Sequence, residues 1–291
     1  MRQARYTLSV IAAGVLWGII SIFIKGLNAS DLSPIQILQL RAIIASLIMA
    51  PYLFIINKKL LYFSLKDIWM FIGTGVISLT FFSMCYFRTI IESGASVAVI
   101  LLYTSPIFVI LFSLILFKER ITAVKLIALI MTFAGCILVS GLGRDGAGIT
   151  VKGFIIGLGS GLGYALYSIF SRYALKKYHV LTITFYTFLF SGLSIIPFSG
   201  LGPGSEIMQP QLLLYGVGIA VFCTVLPYLF YTYGMTRLET GKAAILVTVE
   251  PLVGTLVGCC LYGEPMTLIK TTGIILTFGA VILLGLTKTR K

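Results

Sequence analysis

Charge is what this 291-residue sequence has least of. Lys, Arg, Asp and Glu together make up 11% of it, with nine acids against 22 bases, and there is a single histidine. A soluble chain carries about 25% charged residues, so an ordinary water-exposed globule is excluded. Catalytic signatures are missing as well. No HExxH, no metal-spaced cysteine pair and no G-x-S-x-G nucleophile turn is present. GLGRDG (141–146) has the letters of a dinucleotide-binding loop but follows an apolar run with no βαβ unit around it, and TGK (240–242) lacks the first glycine of a phosphate-binding loop. The sequence therefore reads as a non-enzyme with no cofactor and no bound metal. The five cysteines (Cys85, Cys136, Cys223, Cys259, Cys260) are odd in number and all lie in apolar runs, which suits small packing residues better than a disulfide framework. His179 sits in the basic connector KKYH and reads as a solvated loop residue.

What the chain does have is apolar length. It is 58% hydrophobic, with a mean hydropathy of +1.05. The bases fall in short clusters between apolar runs of about 20 residues, each long enough to cross ~30 Å of hydrocarbon as a helix. Ten spans are expected, at 7–25, 34–56, 68–88, 95–117, 122–141, 153–172, 180–200, 211–235, 242–262 and 267–287. The first follows Arg2 and Arg5 like a secretory leader, but it is span-length and has no small-residue cleavage site after it, so it reads as a retained helix. Sixteen Lys and Arg fall at the loop ends shared with the N-terminus. Five fall opposite (Lys25, Arg88, Arg144, Lys152, Lys270), and Arg41 lies inside a span, which accounts for all 22. That bias places both termini in the cytoplasm. It also makes the net charge of +13 a topology signal and not a nucleic-acid footprint.

The chain contains itself twice. YTSPIFVILFSLILFKERIT (103–122) lies over TVEPLVGTLVGCCLYGEPMT (248–267), pairing Pro106 with Pro251, Glu119 with Glu264 and Thr122 with Thr267, and upstream Tyr86 with Tyr231. At a slightly different shift the first span lies over the sixth, pairing Gly14 with Gly161, Trp17 with Tyr164, Ser21 with Ser168 and Lys25 with Arg172. Five spans per unit means that the second unit enters the membrane from the other side, an inverted repeat. The expected organisation is a first five-helix repeat over 1–141, a glycine-rich connector over 142–152 and a second, inverted repeat over 153–291. The fold class is an all-α membrane protein. Two halves able to rock about a shared midplane site suit a carrier more than a channel or an intramembrane enzyme.

The small-residue-rich first span, then SVAVILLYTSPIFVILFSLILFKERIT and its echo AAILVTVEPLVGTLVGCCLYGEPMT, resemble the EamA-type members of the drug/metabolite transporter superfamily over nearly the whole chain. The resemblance implies five plus five helices and a secondary transporter of the cell membrane. Known members of such families move amino acids, metabolites, nucleotide sugars or organic cations, commonly outward.

Glu250 is the acid in the middle of the oily run LVTVEPLVG. A charge at the bilayer centre costs about 2.5–3.5 kcal/mol on insertion scales, so it normally faces the bundle interior or water. Pro251 displaces the bond to the Val247 carbonyl, which would leave a free carbonyl beside the carboxylate. Glu250 is the expected contact for a substrate amine, or a protonatable coupling site; an interhelical packing acid is the structural alternative. Arg41 is the other embedded charge, and it could pair with Glu250, bind a substrate carboxylate or snorkel outward. Gln36 and Gln39 are candidate polar contacts of the same vestibule. Trp17, Tyr86, Tyr231, Tyr103 and Tyr164, with Tyr167 and Tyr228, are candidate rings for stacking or cation–π contact. Ser21, Ser168 and Ser105 are candidate polar cavity groups, and Pro106 and Pro251 paired hinges. Gly153, Gly157 and Gly161, with Gly14–Gly18 and Gly254–Gly258, form four-spaced stripes that let helices pack closely. Glu119 and Glu264 are expected to complement the N-termini of helices 5 and 10 at the membrane surface.

The expected function is export of a small metabolite, an amino acid or related zwitterion, by alternating access; an organic-cation carrier is the alternative. The partners implied are the substrate, membrane lipid and a candidate coupling proton, with monomer or homodimer left open.

Overall fold

The computed structural model describes residues 3–28, 32–140, 150–200 and 210–286. Among these residues there is no strand, and ten helices are long and apolar enough to cross a membrane. We number them α1 (Ala4–Leu27), α2 (Pro34–Leu61), α3 (Leu65–Ser93), α4 (Ala95–Phe117), α5 (Ala123–Ser140), α6 (Val151–Ala174), α7 (Val180–Ser199), α8 (Leu212–Met235), α9 (Thr240–Tyr262) and α10 (Leu268–Leu286). The expected spans match in number and order. The largest extensions are at the ends of α2 and α3. α3 continues past Arg88 because that side chain is paired one turn on with Glu92, at 2.7 Å. It stops at Gly94, whose φ of 87° no ordinary side chain tolerates well. Residues 141–149 of the glycine-rich connector lie outside the described residues, and so does GLGRDG. Val151 and Lys152, expected in the connector, already belong to α6, whose first turn is capped by the Thr150 hydroxyl accepting from Gly153 N at 2.9 Å.

The helices pair across the two halves of the chain: α1 on α8, α2 on α7, α3 on α6 and α5 on α10. This pairing is unchanged when every helix is exchanged for the one five places away. The glycine stripes set the closest approaches. A Cβ added to Gly14 would lie 2.5 Å from the Val247 carbonyl oxygen, and one on Gly161 would lie 2.6 Å from the Leu101 carbonyl oxygen. α1 therefore lies against the middle of α9 as α6 lies against the middle of α4, and the stripes serve packing within the chain. Outward, the apolar face carries exposed residues such as Leu47, Ile55, Ile130 and Leu214, as a lipid-facing surface must.

α4 and α9 break at mid-depth. α4 is helical over Ala95–Leu102, turns through Tyr103 and Thr104, and resumes at Ser105–Phe117 with Pro106 in its first turn. α9 is helical over Thr240–Leu246, tightens to a 3₁₀ turn at Val247–Val249, and resumes at Glu250–Tyr262 with Pro251 in its first turn. Proline is tolerated there because the amide it lacks would have no helical partner. α3 and α8 also widen, into π-helical stretches at Gly73–Thr80 and Val221–Val225, a feature that clusters at functional sites.

The end of the bundle where α1 begins, rich in Lys and Arg, is cross-tied by polar contacts. Arg172 donates to the carbonyls of Met235 and Leu238. Lys177 and Tyr178 both donate to the carboxylate of Asp67, each at 2.6 Å. The bond to Asp67 holds the Lys177 ammonium above its ordinary pKa.

Candidate functional site

Glu250 opens the second half of α9, so its carboxylate stands at the positive end of a half-helix at mid-depth. Neither the tightened turn nor the half-helix leaves the Val247 carbonyl free. That oxygen accepts the Glu250 amide and is packed against the Gly14 backbone. The free-carbonyl half of the expected polar spot is therefore absent, because the 3₁₀ turn re-satisfies what the proline releases.

The carboxylate remains. Glu250 is partly exposed, and the phenols of Tyr164 and Tyr103 stand close enough to act on its carboxylate. Tyr164 belongs to α6 and is itself partly exposed; Tyr103 lies in the turn of α4 and is buried. The two broken helices and α6 thus meet at one acid. Tyr86 and Tyr228 also lie within its electrostatic reach. Arg41 on α2 is partly exposed and feels Glu250, Tyr228 and Cys223. No ion pair within 4.0 Å involves Arg41 or Glu250 among the described residues. The two embedded charges share a neighbourhood without neutralising each other by contact.

Beside the acid is a hollow lined by Trp17, Ser78, Phe82, Tyr164, Tyr167, Ser168, Tyr228 and Tyr231. Trp17 is its hub. Its ring centroid lies 5.1 Å from that of Tyr228, 5.8 Å from Tyr231 and 6.3 Å from Tyr164, in tilted and edge-on poses favoured for aromatic pairs. The back wall is fixed by hydroxyls. Ser168 and Tyr231 share a hydrogen bond of 2.8 Å, and Tyr167 and Thr232 one of 2.7 Å. The hollow is narrow in this conformation, with room for about one water molecule, so its walls must part to admit a ligand.

Most of the candidates from the sequence meet here. Trp17, Tyr164, Ser168 and Tyr231 line the hollow, and Tyr103, Arg41 and Tyr86 stand near Glu250. Pro106 and Pro251 sit at the two breaks. Ser21 does not join the lining. Its hydroxyl is buried with no partner among the described residues, and its carbonyl accepts from Tyr262 at 3.3 Å. Ser105 is buried at the break in α4 and is also absent from the lining. Gln36 is taken up by structure: it completes the Ser33 capping box of α2 and donates to the Ser199 carbonyl at 3.2 Å. Gln39 is buried, its side-chain oxygen without a partner among the described residues. Ser78 and Phe82 were missed. Their signal is spacing: with Tyr86 they recur every four residues along α3 and so share its inner face.

Glu119 does not serve its own neighbour α5 as expected. Its two oxygens accept the amides of Thr240 (2.8 Å) and Gly241 (3.2 Å), at the start of α9 in the other half. Glu264 pairs with Lys270 of α10, at 2.8 Å.

The sequence is similar to known proteins throughout its length. The model of the EamA-like transporter family matches residues 5–141 and again residues 151–286. A protein of Archaeoglobus fulgidus named an uncharacterized transporter is 30% identical over 288 residues, covering 95% of this chain and 93% of the relative. The uncharacterized inner membrane transporter YicL of Salmonella typhimurium is 25% identical, covering 98% and 96%. The threonine/homoserine exporter RhtA of Escherichia coli K12 is 26% identical, covering 71% and 66%. One solved crystal structure superposes with a TM-score of 0.82 at 17% identity, covering 96% of this chain and 95% of that one, and so shares the fold. These relatives are named as transporters and not as enzymes. With the family pattern present once in each half and ten apolar helices to carry it, the chain belongs to the EamA-like transporter family, as a multi-pass protein of the cell membrane.

Proposed function

We propose that this transporter moves a small zwitterion, an amino acid or a close relative, outward by alternating access at the mid-depth hollow. The observation that carries the reading is the pair of unneutralised charges. Glu250 and Arg41 face one another's fields with no ion pair between them, so each keeps interaction energy for a ligand. A ligand bearing both an ammonium and a carboxylate satisfies both. The aromatic lining supplies contact area and cation–π attraction to the ammonium. That RhtA is named a threonine/homoserine exporter supports the zwitterion and the outward direction.

On this reading residues 1–141 and 153–291 are two inverted five-helix repeats with both termini in the cytoplasm, as the charge bias favours. Pro106 and Pro251 are the bends about which the half-helices move. The organic-cation alternative keeps one supporting observation, the box of Trp17, Tyr164, Tyr228 and Tyr231 beside a single acid.

Counterflow in proteoliposomes separates the two. Amino acids inside the vesicles should drive saturable uptake of labelled amino acid, and Arg41→Gln should abolish it while sparing any response to simple amines. Counterflow driven by tetraalkylammonium ions and indifferent to Arg41→Gln would replace the zwitterion with a cation. Unsaturable flux would replace the carrier with a pore.

A further inference from the structure

Two Glu–Lys pairs occupy equivalent places in the halves of the chain, Glu119 with Lys125 and Glu264 with Lys270. They are used differently. At the basic end both members reach across to the other half. Glu119 accepts the Thr240 and Gly241 amides, and Lys125, only 8% exposed, forms an ion pair with Glu239 just before α9. Thr240 and Gly241 are buried beneath this contact. At the far end the same two residue types close on each other. Glu264, 52% exposed, pairs with Lys270 of its own half.

The far-end counterparts of Thr240 and Gly241 are Ala95 and Ser96, at the start of α4, where Ala95 is exposed. At the same shift Glu239 falls on Gly94, and the acid two residues before it, Glu92 at the end of α3, is engaged with Arg88 and Lys152. Mid-depth exposure follows the same asymmetry. Glu250 and Pro251 in α9 are partly exposed, whereas their counterparts Ser105 and Pro106 in α4 are buried, with Ile107 just beyond them exposed.

We propose that the two Glu–Lys pairs are reciprocal latches, engaged one at a time. The Glu119–Lys125 latch seals the basic end in the present conformation. When the carrier turns over it lets go, and Glu264 swings from Lys270 to the amides of residues 95 and 96 while Lys270 turns to Glu92. Glu119, Lys125, Glu264 and Lys270 touch no ligand; they set which end of the hollow is open. The energetics suit a switch. A carboxylate on two helix-terminal amides makes charge-assisted bonds, whereas the half-exposed Glu264 carboxylate holds Lys270, itself 11% exposed, by a single ion pair that it can exchange for another. The proposal rests on the inverted-repeat, alternating-access reading above.

Spin-label distances in lipid nanodiscs test it, with one reporter pair at Arg120 and Arg237 on the basic end and another at Ile91 and Met266 on the far end, all exposed. Glu119→Gln should shift the population toward a basic end that is open and a far end that is closed by about tenfold. Glu264→Gln, which disturbs only the Glu264–Lys270 pair in this state, should deplete the far-closed population by a similar factor and slow counterflow. Lys125→Met should act in the same direction as Glu119→Gln. If the parent protein exchanges two conformations with ligand but these variants leave their ratio unchanged, the latches are refuted and alternating access stands. If the parent shows one conformation at both ends under every ligand and no counterflow, the underlying reading fails, and the latches with it.

Discussion

Replacing Glu250 by Gln sets two effects against each other, and their sizes decide what should be seen. The side chain keeps its shape and one acceptor oxygen, so the hydroxyls of Tyr164 and Tyr103 lose the charge they face more than the group itself. Losing that charge costs at most about 1 kcal/mol per hydroxyl, about 2 kcal/mol of folding for the two. Against this, the membrane interior no longer holds a carboxylate, a relief of about 2.5–3.5 kcal/mol on insertion scales. The terms nearly cancel, and thermal unfolding should move by no more than a few degrees.

Binding has no such offset. An ammonium in contact with the carboxylate at ~4 Å gains about 4 kcal/mol at an effective dielectric of 20, and roughly half that in a partly hydrated hollow. Loss of the charge should raise the dissociation constant of an amine-bearing ligand about 30- to 1,000-fold. Ligand-induced thermal shift reads binding, and counterflow in proteoliposomes reads transport. A Gln variant that folds normally and exchanges amino acid at the parent rate would refute an essential acid at this position. A variant that loses binding only because it loses ten degrees or more of stability would move Glu250 from ligand contact to helix packing.

Other consequences are as direct. Trp17→Ala removes the hub of the aromatic wall and should cost about 3–5 kcal/mol, lowering the unfolding temperature of detergent-purified protein; Trp17→Phe should recover most of the stability and part of the transport. Gly14→Val places side-chain atoms where the Val247 carbonyl already lies, 2.5 Å from a first carbon; about 1–3 kcal/mol or more of strain should show as a reduced folded yield on size-exclusion chromatography. Lys177 has its pKa raised by Asp67, so its stabilising contribution is complete below its unfolded value, about 10.4, and is lost only as pH rises through the folded one. Unfolding temperatures of the parent and of Lys177→Met should therefore differ by a constant amount between pH 6 and 9 and converge only in strong alkali.

The number, order and composition of the helices were legible because each rests on a one-dimensional quantity, the length of an apolar run against the thickness of hydrocarbon. The repeat was legible because Pro106 and Pro251 fall at the same place in two otherwise dissimilar helices. Glu250 stood out because a charge in such a run carries a cost that needs an explanation. What escaped depended on three-dimensional reach. Glu119 was assigned to the helix that follows it in sequence and instead serves α9, 121 residues away. Gln36, counted as a vestibule residue, is spent on a capping box and a bond to Ser199. Ser78 and Phe82 carry no charge and break no pattern, so only the side of α3 that packs inward reveals them. The Val247 carbonyl seemed free because proline removes a partner, yet a half-turn of 3₁₀ helix restored one.

The two halves agree and differ in places that make functional sense together. At the ends they agree: Glu119 matches Glu264 and Lys125 matches Lys270, the equivalent parts that two gates closing in turn would require under the alternating-access proposal. In the middle they differ: where α9 has Glu250, α4 has Ser105. A carboxylate at both breaks would bring two like charges to one mid-depth hollow, where repulsion and desolvation would force one of them neutral, and the ligand would meet a site of indefinite charge. On the proposed reading, a single acid, with Arg41 on a third helix as its counterweight, gives the hollow one polarity in both conformations. Putting the missing acid back by Ser105→Glu tests this directly. Insertion should survive, since the position is buried inside the bundle, but amino-acid counterflow should fall at neutral pH, and it should recover in Ser105→Gln, which has the bulk without the charge. Equal loss in both variants would show that volume at the break matters there and charge does not.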